Sequence, residues 1–159
     1  DVCSSDLVWE DSFKMVKERP LFGHGINTFM KLFEHYRRSS LLAGADPPTY
    51  AHNCFIQIAV EVGILGLMSF FWILGCVFFK TMRLLRDMSS VGPSGENVHI
   101  YGMIMCGILS SLLAFLTQSF FDTTLYTVQL SVLFWVMVGF LISIYKILNE
   151  SSIRDIKVS

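Results

Sequence analysis

The stretch VGILGLMSFFWILGCVFF, residues 62–79, runs for eighteen residues without a single charge. A helix that crosses the hydrocarbon core of a bilayer needs about 20 predominantly apolar residues. Two more uncharged runs follow, IYGMIMCGILSSLLAFLTQSFF at 100–121 and TTLYTVQLSVLFWVMVGFLISIY at 123–145. These runs predict an all-α, polytopic integral membrane protein with three transmembrane helices. The first is expected to start earlier, near Asn53, with Glu61 at the membrane interface or facing protein rather than lipid. The spans then read as about 54–79, 100–121 and 123–145.

Composition points the same way. Of 159 residues, 53% are hydrophobic, 14% aromatic and 16% charged, against roughly 25% charged in an ordinary soluble domain. Twelve Lys and Arg against 13 Asp and Glu leave a net charge of -1, which excludes the basic footprint of a nucleic-acid binder. Fourteen Phe, 3 Trp and 5 Tyr exclude intrinsic disorder. Cys3, Cys54, Cys76 and Cys106 show no CxxC spacing, so neither a zinc site nor a disulfide framework is indicated, and no metal or cofactor is predicted.

Lys and Arg next to the spans set orientation through the positive-inside rule. Lys80, Arg83 and Arg86 follow the first span; Lys146, Arg154 and Lys157 follow the third; the turn around Asp122 has none. The 80–99 loop and the tail 146–159 are therefore expected to be cytoplasmic. Residues 8–53 and the turn near Asp122 are expected on the outer, periplasmic or extracellular side of a bacterial inner membrane.

DVCSSDL, residues 1–7, is what the end of a common short-read sequencing adapter encodes in one frame. It is expected to be an artefact, with the real chain beginning near Val8 as the C-terminal fragment of a larger frame. Residues 8–53 mix six Lys or Arg with five Asp or Glu. Trp9, Phe13 and Val16 fall at i, i+4 and i+7, the spacing of a short amphipathic helix, which Pro20 ends. Leu21-Phe22-Gly23-His24-Gly25 reads as a turn, because the third glycine and the strand of a dinucleotide fingerprint are missing. A second amphipathic helix is predicted from Asn27 or Thr28, with Phe29, Leu32, Phe33 and Tyr36 on one face, lying on the membrane surface or on other helices. Residues 43–50, with Asp46-Pro47-Pro48, read as loop.

Ala51-His52-Asn53 leads directly into the first span. Asn53 is a good N-cap, which places His52 at the positive end of a helix near the boundary of lipid and water. Amides of the first turn, His52 and nearby arginines would suit a phosphate or a lipid diphosphate. Gly63 and Gly66, three apart, would let another helix approach closely. His24, between two glycines, reads as structural or incidental. Glu61 reads as a packing or capping partner, and Asp122 as a cap or a cavity residue.

His52-Asn53, nine residues, Gly63, two residues and Gly66-Leu67 is similar to the His-Asn to Gly-x-x-Gly pattern of the O-antigen ligase and polymerase superfamily. Some ligases carry Thr or Val at the last position. Trp9 and Arg19-Pro20-Leu21-Phe22-Gly23-His24-Gly25 also resemble that family's Trp, Pro, apolar and Gly-x-Gly segment. The arginine that the family carries a few residues before the Trp has no counterpart in 1–7, so the fragment alone is expected to be inactive.

The resemblance implies a membrane glycosyltransferase of polysaccharide or lipopolysaccharide biosynthesis. Such an enzyme takes a glycan from an undecaprenyl-diphosphate carrier to a glycan, lipid-core or protein acceptor on the outer side of the membrane. It implies metal-independent catalysis, with basic residues at the diphosphate. His52 is the candidate catalytic residue, as either an aid to acceptor deprotonation or a diphosphate contact. Arg37, Arg38, Arg19 and Asn53 are candidates for binding the lipid diphosphate, while Gly23, Gly25, Gly63, Gly66 and Glu61 are candidates for the structural motif. Rival readings are a transporter or channel segment, since Glu61 and Asp122 lie near membrane boundaries, and a noncatalytic membrane subunit.

Overall fold

The computed structural model describes residues 4–36, 50–90 and 96–158. Among them are six helices and no strand: α1 (Ser4–Glu18), α2 (Phe29–Tyr36), α3 (Cys54–Glu61), α4 (Gly63–Ser90), α5 (Glu96–Gln118) and α6 (Val128–Val158), with a 3-10 turn at Thr124–Tyr126. The chain divides into two compact units, residues 1–71 with 117–128 and residues 72–116 with 129–159.

In the first unit, α1 and α2 occupy the two segments read as amphipathic, and α1 stops at Glu18, two residues before Pro20. The buried face of α1 is not the one that Trp9, Phe13 and Val16 suggest. Val8, Asp11, Ser12 and Met15 are buried, while Phe13 is 53% exposed. Local pairing permits polar residues on that inward face. The Ser12 hydroxyl donates to the Val8 carbonyl at 2.6 Å, and Lys14 Nζ donates to the Asp11 carboxylate at 2.6 Å. Phe29 and Phe33 of α2 stack with ring centroids 5.5 Å apart. They close a core with Val8, Met15, Ala51 and Val60, to which Leu32 and Tyr36 add the rest of the predicted α2 face.

The expected first span, 54–79, is two helices. α3 ends at Glu61 and α4 begins at Gly63, whose φ of +84° lies in the left-handed region that glycine enters without steric cost. The stretches long and apolar enough to cross a membrane are Gly63–Met88, His99–Gln118 and Val128–Asn149. α5 stops before Phe120 and Phe121, because the amides of Phe120, Phe121 and Asp122 turn back onto Thr117 and Gln118 carbonyls. Residues 119–127 are therefore turn, not span, despite their hydropathy.

The second unit is built at helical spacing. Leu74 and Thr81 are buried on α4, Met105, Leu109 and Leu112 on α5, and Phe134, Val138, Leu141 and Leu148 on α6. The opposite faces are apolar and open: Trp72 is 75% exposed, Phe79 69% and Phe140 59%. Water would not tolerate apolar faces of this extent, and lipid favours them. Within the three spans, Ser69, Ser110, Ser111 and Ser143 each donate to the carbonyl four residues earlier, so these hydroxyls are satisfied without water. The chain is an integral membrane protein.

Candidate functional site

A break between two helices strands the last carbonyls of the first and the first amides of the second. One loop, Pro20 to Gly25, answers both ends of the α3–α4 break. His24 N–H donates to Val60 O and Gly25 N–H to Glu61 O, each at 2.9 Å. Ile64 N–H donates to Pro20 O at 2.8 Å and Leu65 N–H to Leu21 O at 3.4 Å.

That splice requires backbone against backbone. Gly23 has φ +64°, and a Cβ there would lie 2.5 Å from Glu61 O; a Cβ on Gly63 would overlap the Leu21 carbonyl. What approaches Gly63 is therefore a loop from 40 residues upstream, not another helix as the spacing suggested. Gly66 makes room for the Val62 side chain over the first turn of α4. The two glycine motifs form one joint. His24 has a structural place beside it, since its Nε2–H donates to the Met15 carbonyl at 2.9 Å and its ring meets Tyr36 edge-on at 6.3 Å.

At the other end of α3, Asn53 caps the helix as its residue type predicts. Its side-chain oxygen accepts from Phe55 N–H at 3.0 Å and Ile56 N–H at 3.1 Å, and Cys54 N–H donates to Ser119 O at 2.9 Å. These bonds satisfy the first-turn amides inside the protein, and Asn53 itself is buried. His52, immediately before, has φ +51° and an exposed side chain. Histidine is among the few residue types enriched in this region.

Between the two ends runs a buried polar chain. Ala51 N–H donates to Gln57 Oε1 at 2.8 Å, Gln57 Nε2–H to Glu61 Oε1 at 2.9 Å, and Tyr126 O–H to Glu61 Oε2 at 3.2 Å. Glu61 is 2% exposed and Gln57 1%. Tyr126, outside the spans, has its phenol pushed above the ordinary range by burial first and by the neighbouring Glu61 carboxylate second; it is held as a neutral donor. Burial likewise pushes the Cys54 thiol up to about 11, which leaves it unsuited to act as a thiolate nucleophile at neutral pH.

The turn after α5 completes the surroundings. Ser119 and Thr124 hydroxyls share a hydrogen bond of 2.6 Å, Phe120 packs on Phe55 at 4.5 Å, and Tyr50 faces Tyr126 at 6.0 Å. The Asp122 carboxylate accepts from the adjacent Thr123 amide at 2.7 Å, a local turn role. Trp9 Nε1–H reaches the Ala51 carbonyl at 3.0 Å, tying α1 to the residue before His52. Arg19 is exposed, next to Pro20, whose carbonyl serves the joint. Arg37 and Arg38 lie outside the described residues.

The structure thus joins Gly23, Gly25, Gly63 and Glu61 and adds Gln57 and Tyr126, which the sequence reading passed over. Gln57 and Glu61 were visible as two polar residues four apart in an otherwise apolar segment, the spacing of one helix face. Tyr126 carried no such signal, because its partner lies 65 residues away. No curated protein and no solved structure matches the chain. Residues 6–71, which carry both glycine motifs and His52, match the family model described as O-antigen ligase, and over this stretch the chain is similar to that family.

Proposed function

We propose that the chain belongs to a membrane glycosyltransferase that moves a glycan from an undecaprenyl-diphosphate carrier to an acceptor hydroxyl on the outer face of a bacterial inner membrane. The observation that supports this reading is the placement of His52. An exposed imidazole stands in a left-handed backbone position, held on one side by buried Ala51 and on the other by the Asn53 cap. A reactive side chain on a locally over-determined backbone is the arrangement that positioning for catalysis calls for.

In the proposed step, the acceptor oxygen attacks the anomeric carbon and the bond from that carbon to the diphosphate oxygen breaks. The electron pair leaves with the lipid diphosphate, and the acceptor proton passes to the free imidazole nitrogen of His52. Arg19, Arg37 and Arg38 supply positive charge to the departing diphosphate. The Gln57–Glu61–Tyr126 chain acts on this step indirectly, by fixing Ala51 and hence the backbone that carries His52. Ligation to a lipid core or protein and extension of a second lipid-linked glycan share this donor chemistry.

His52→Ala, assayed in cells for surface glycan, is expected to lower transfer by about 10²- to 10⁴-fold, the range of a lost general base, with membrane insertion and protein level unchanged. His52→Asn retains the left-handed preference but not the base and is expected to be equally inactive. Normal transfer by either variant removes His52 from the reaction. Orientation is tested by single cysteines in a background without the native ones. A probe that does not cross the membrane is expected to reach Lys31→Cys from outside and to leave Asp87→Cys unlabelled; the reverse pattern overturns the topology.

A further inference from the structure

A cavity of about 490 Å³ opens between α4 and α6 in the second unit, within the size range of small-molecule sites. Its chemistry is graded along the helices. Val77, Leu141 and Ile142 form one end, and Lys80, Tyr145 and Lys146 the other. A second cavity of about 380 Å³ shares Lys80 and Tyr145 and continues past Arg83 and Asp87. Among the described lining residues, three cations, Lys80, Arg83 and Lys146, stand against one carboxylate, Asp87, so these lining groups carry net positive charge.

Helix rise places this positive end at a membrane boundary. Lys80 follows the start of its span, Gly63, by seventeen residues, and Lys146 follows Val128 by eighteen. At about 1.5 Å per residue, both lie about 26–27 Å along their helices, close to the roughly 30 Å thickness of the hydrocarbon core. The apolar end of the same cavity lies three or more residues further into the span.

We propose that this groove holds one anionic phospholipid, its phosphate between Lys80, Lys146 and the Tyr145 hydroxyl and its acyl chain along Val77, Leu141 and Ile142. The occupant follows from charge and apolarity together. A free anion would use only the polar end, and a zwitterionic lipid would bring its own cation to a site that is already positive. Each basic residue near a bilayer surface strengthens attraction to anionic lipid by about fivefold. The inference is independent of the glycan reading.

The test is native mass spectrometry of the delipidated protein in detergent, titrated with dioleoyl phosphatidylglycerol. One lipid per chain is expected to be retained, and dioleoyl phosphatidylcholine at the same concentration is expected to be lost. Lys80→Gln with Lys146→Gln is expected to weaken retention about 30-fold, whereas Lys80→Arg with Lys146→Arg and the distant Lys31→Gln keep it. Val77→Trp fills the apolar end while leaving both cations in place and is expected to abolish retention. Equal retention of the two lipids, unchanged retention in the Gln pair or in Val77→Trp, or displacement of the lipid by millimolar inorganic phosphate would each overturn the proposal.

Discussion

Glycine is put to opposite uses in the two units. In the first, Gly23 and Gly63 sit at positive φ with another backbone where a Cβ would be. In the second, a Cβ on Gly75, Gly107 or Gly139 would meet nothing within 4 Å. The first unit is assembled by main-chain bonds between segments about 40 residues apart, which fix position to fractions of an ångström. The second is assembled by side chains at helical spacing, a looser kind of contact that tolerates replacement by residues of similar volume. A site that must hold a reactive group in place belongs in the first kind of structure.

The sharpest way to break this comparison is Gly63→Ala. Alanine in the left-handed region costs about 1–2 kcal/mol, and the clash with the Leu21 carbonyl adds to it. The expected loss is at least about 3 kcal/mol in reversible unfolding in detergent. Gly23→Ala should cost a similar amount, and the double variant less than the sum, because both act on one joint. Wild-type stability for Gly63→Ala would show that the splice is not what holds α3 and α4 together.

Tyr126→Phe sharpens the comparison at an intermediate scale. It leaves Glu61 Oε2 buried without its donor, an expected cost of about 1–3 kcal/mol. The effect also has a pH signature. Burial raises the phenol in the folded state above its unfolded value near 10, so its contribution is fully present below about pH 10 and declines as pH rises toward the raised value. Unfolding midpoints compared between pH 9 and 11 should fall more steeply for the wild-type protein than for Tyr126→Phe. Parallel curves would remove Tyr126 from the buried chain.

The smallest effects are expected in the second unit. Gly75→Ala and Gly139→Ala should be neutral or stabilising by up to about 1 kcal/mol, since alanine lowers the entropy lost on forming a helix and meets no neighbour here. Losses above about 1 kcal/mol in thermal unfolding would mean that this unit too depends on close backbone approach.

Much of this was legible from local rules. Pro20 and the face of Phe29, Leu32, Phe33 and Tyr36 announce where α1 stops and how α2 packs, and Asn53 announces its cap, because each depends on neighbours within about four residues. The buried face of α1 was not legible: Phe13 is apolar yet exposed, while Asp11 and Ser12 are buried with local partners. Apolar character alone assigns such a face wrongly when lipid or protein can receive the outward side. The partners of the first-turn amides of α3 were not legible for a related reason. Whether an amide is open depends on Ser119 and the Asn53 side chain, and the first of these is 65 residues away from Cys54.

The sequence by itself determined that the chain is helical, that three stretches are fit to cross a membrane, and that His52, Asn53 and two glycine motifs mark the region resembling O-antigen ligases. Hydropathy, helical period and capping chemistry are short-range properties, and a linear reading contains them. Only the tertiary structure decided that the first apolar run is broken at Gly63, that Pro20 to Gly25 splices the break, and that Gln57, Glu61 and Tyr126 join in one buried chain. Those outcomes depend on which distant backbone supplies the partner for a stranded amide or carbonyl, and that choice is made by the fold as a whole.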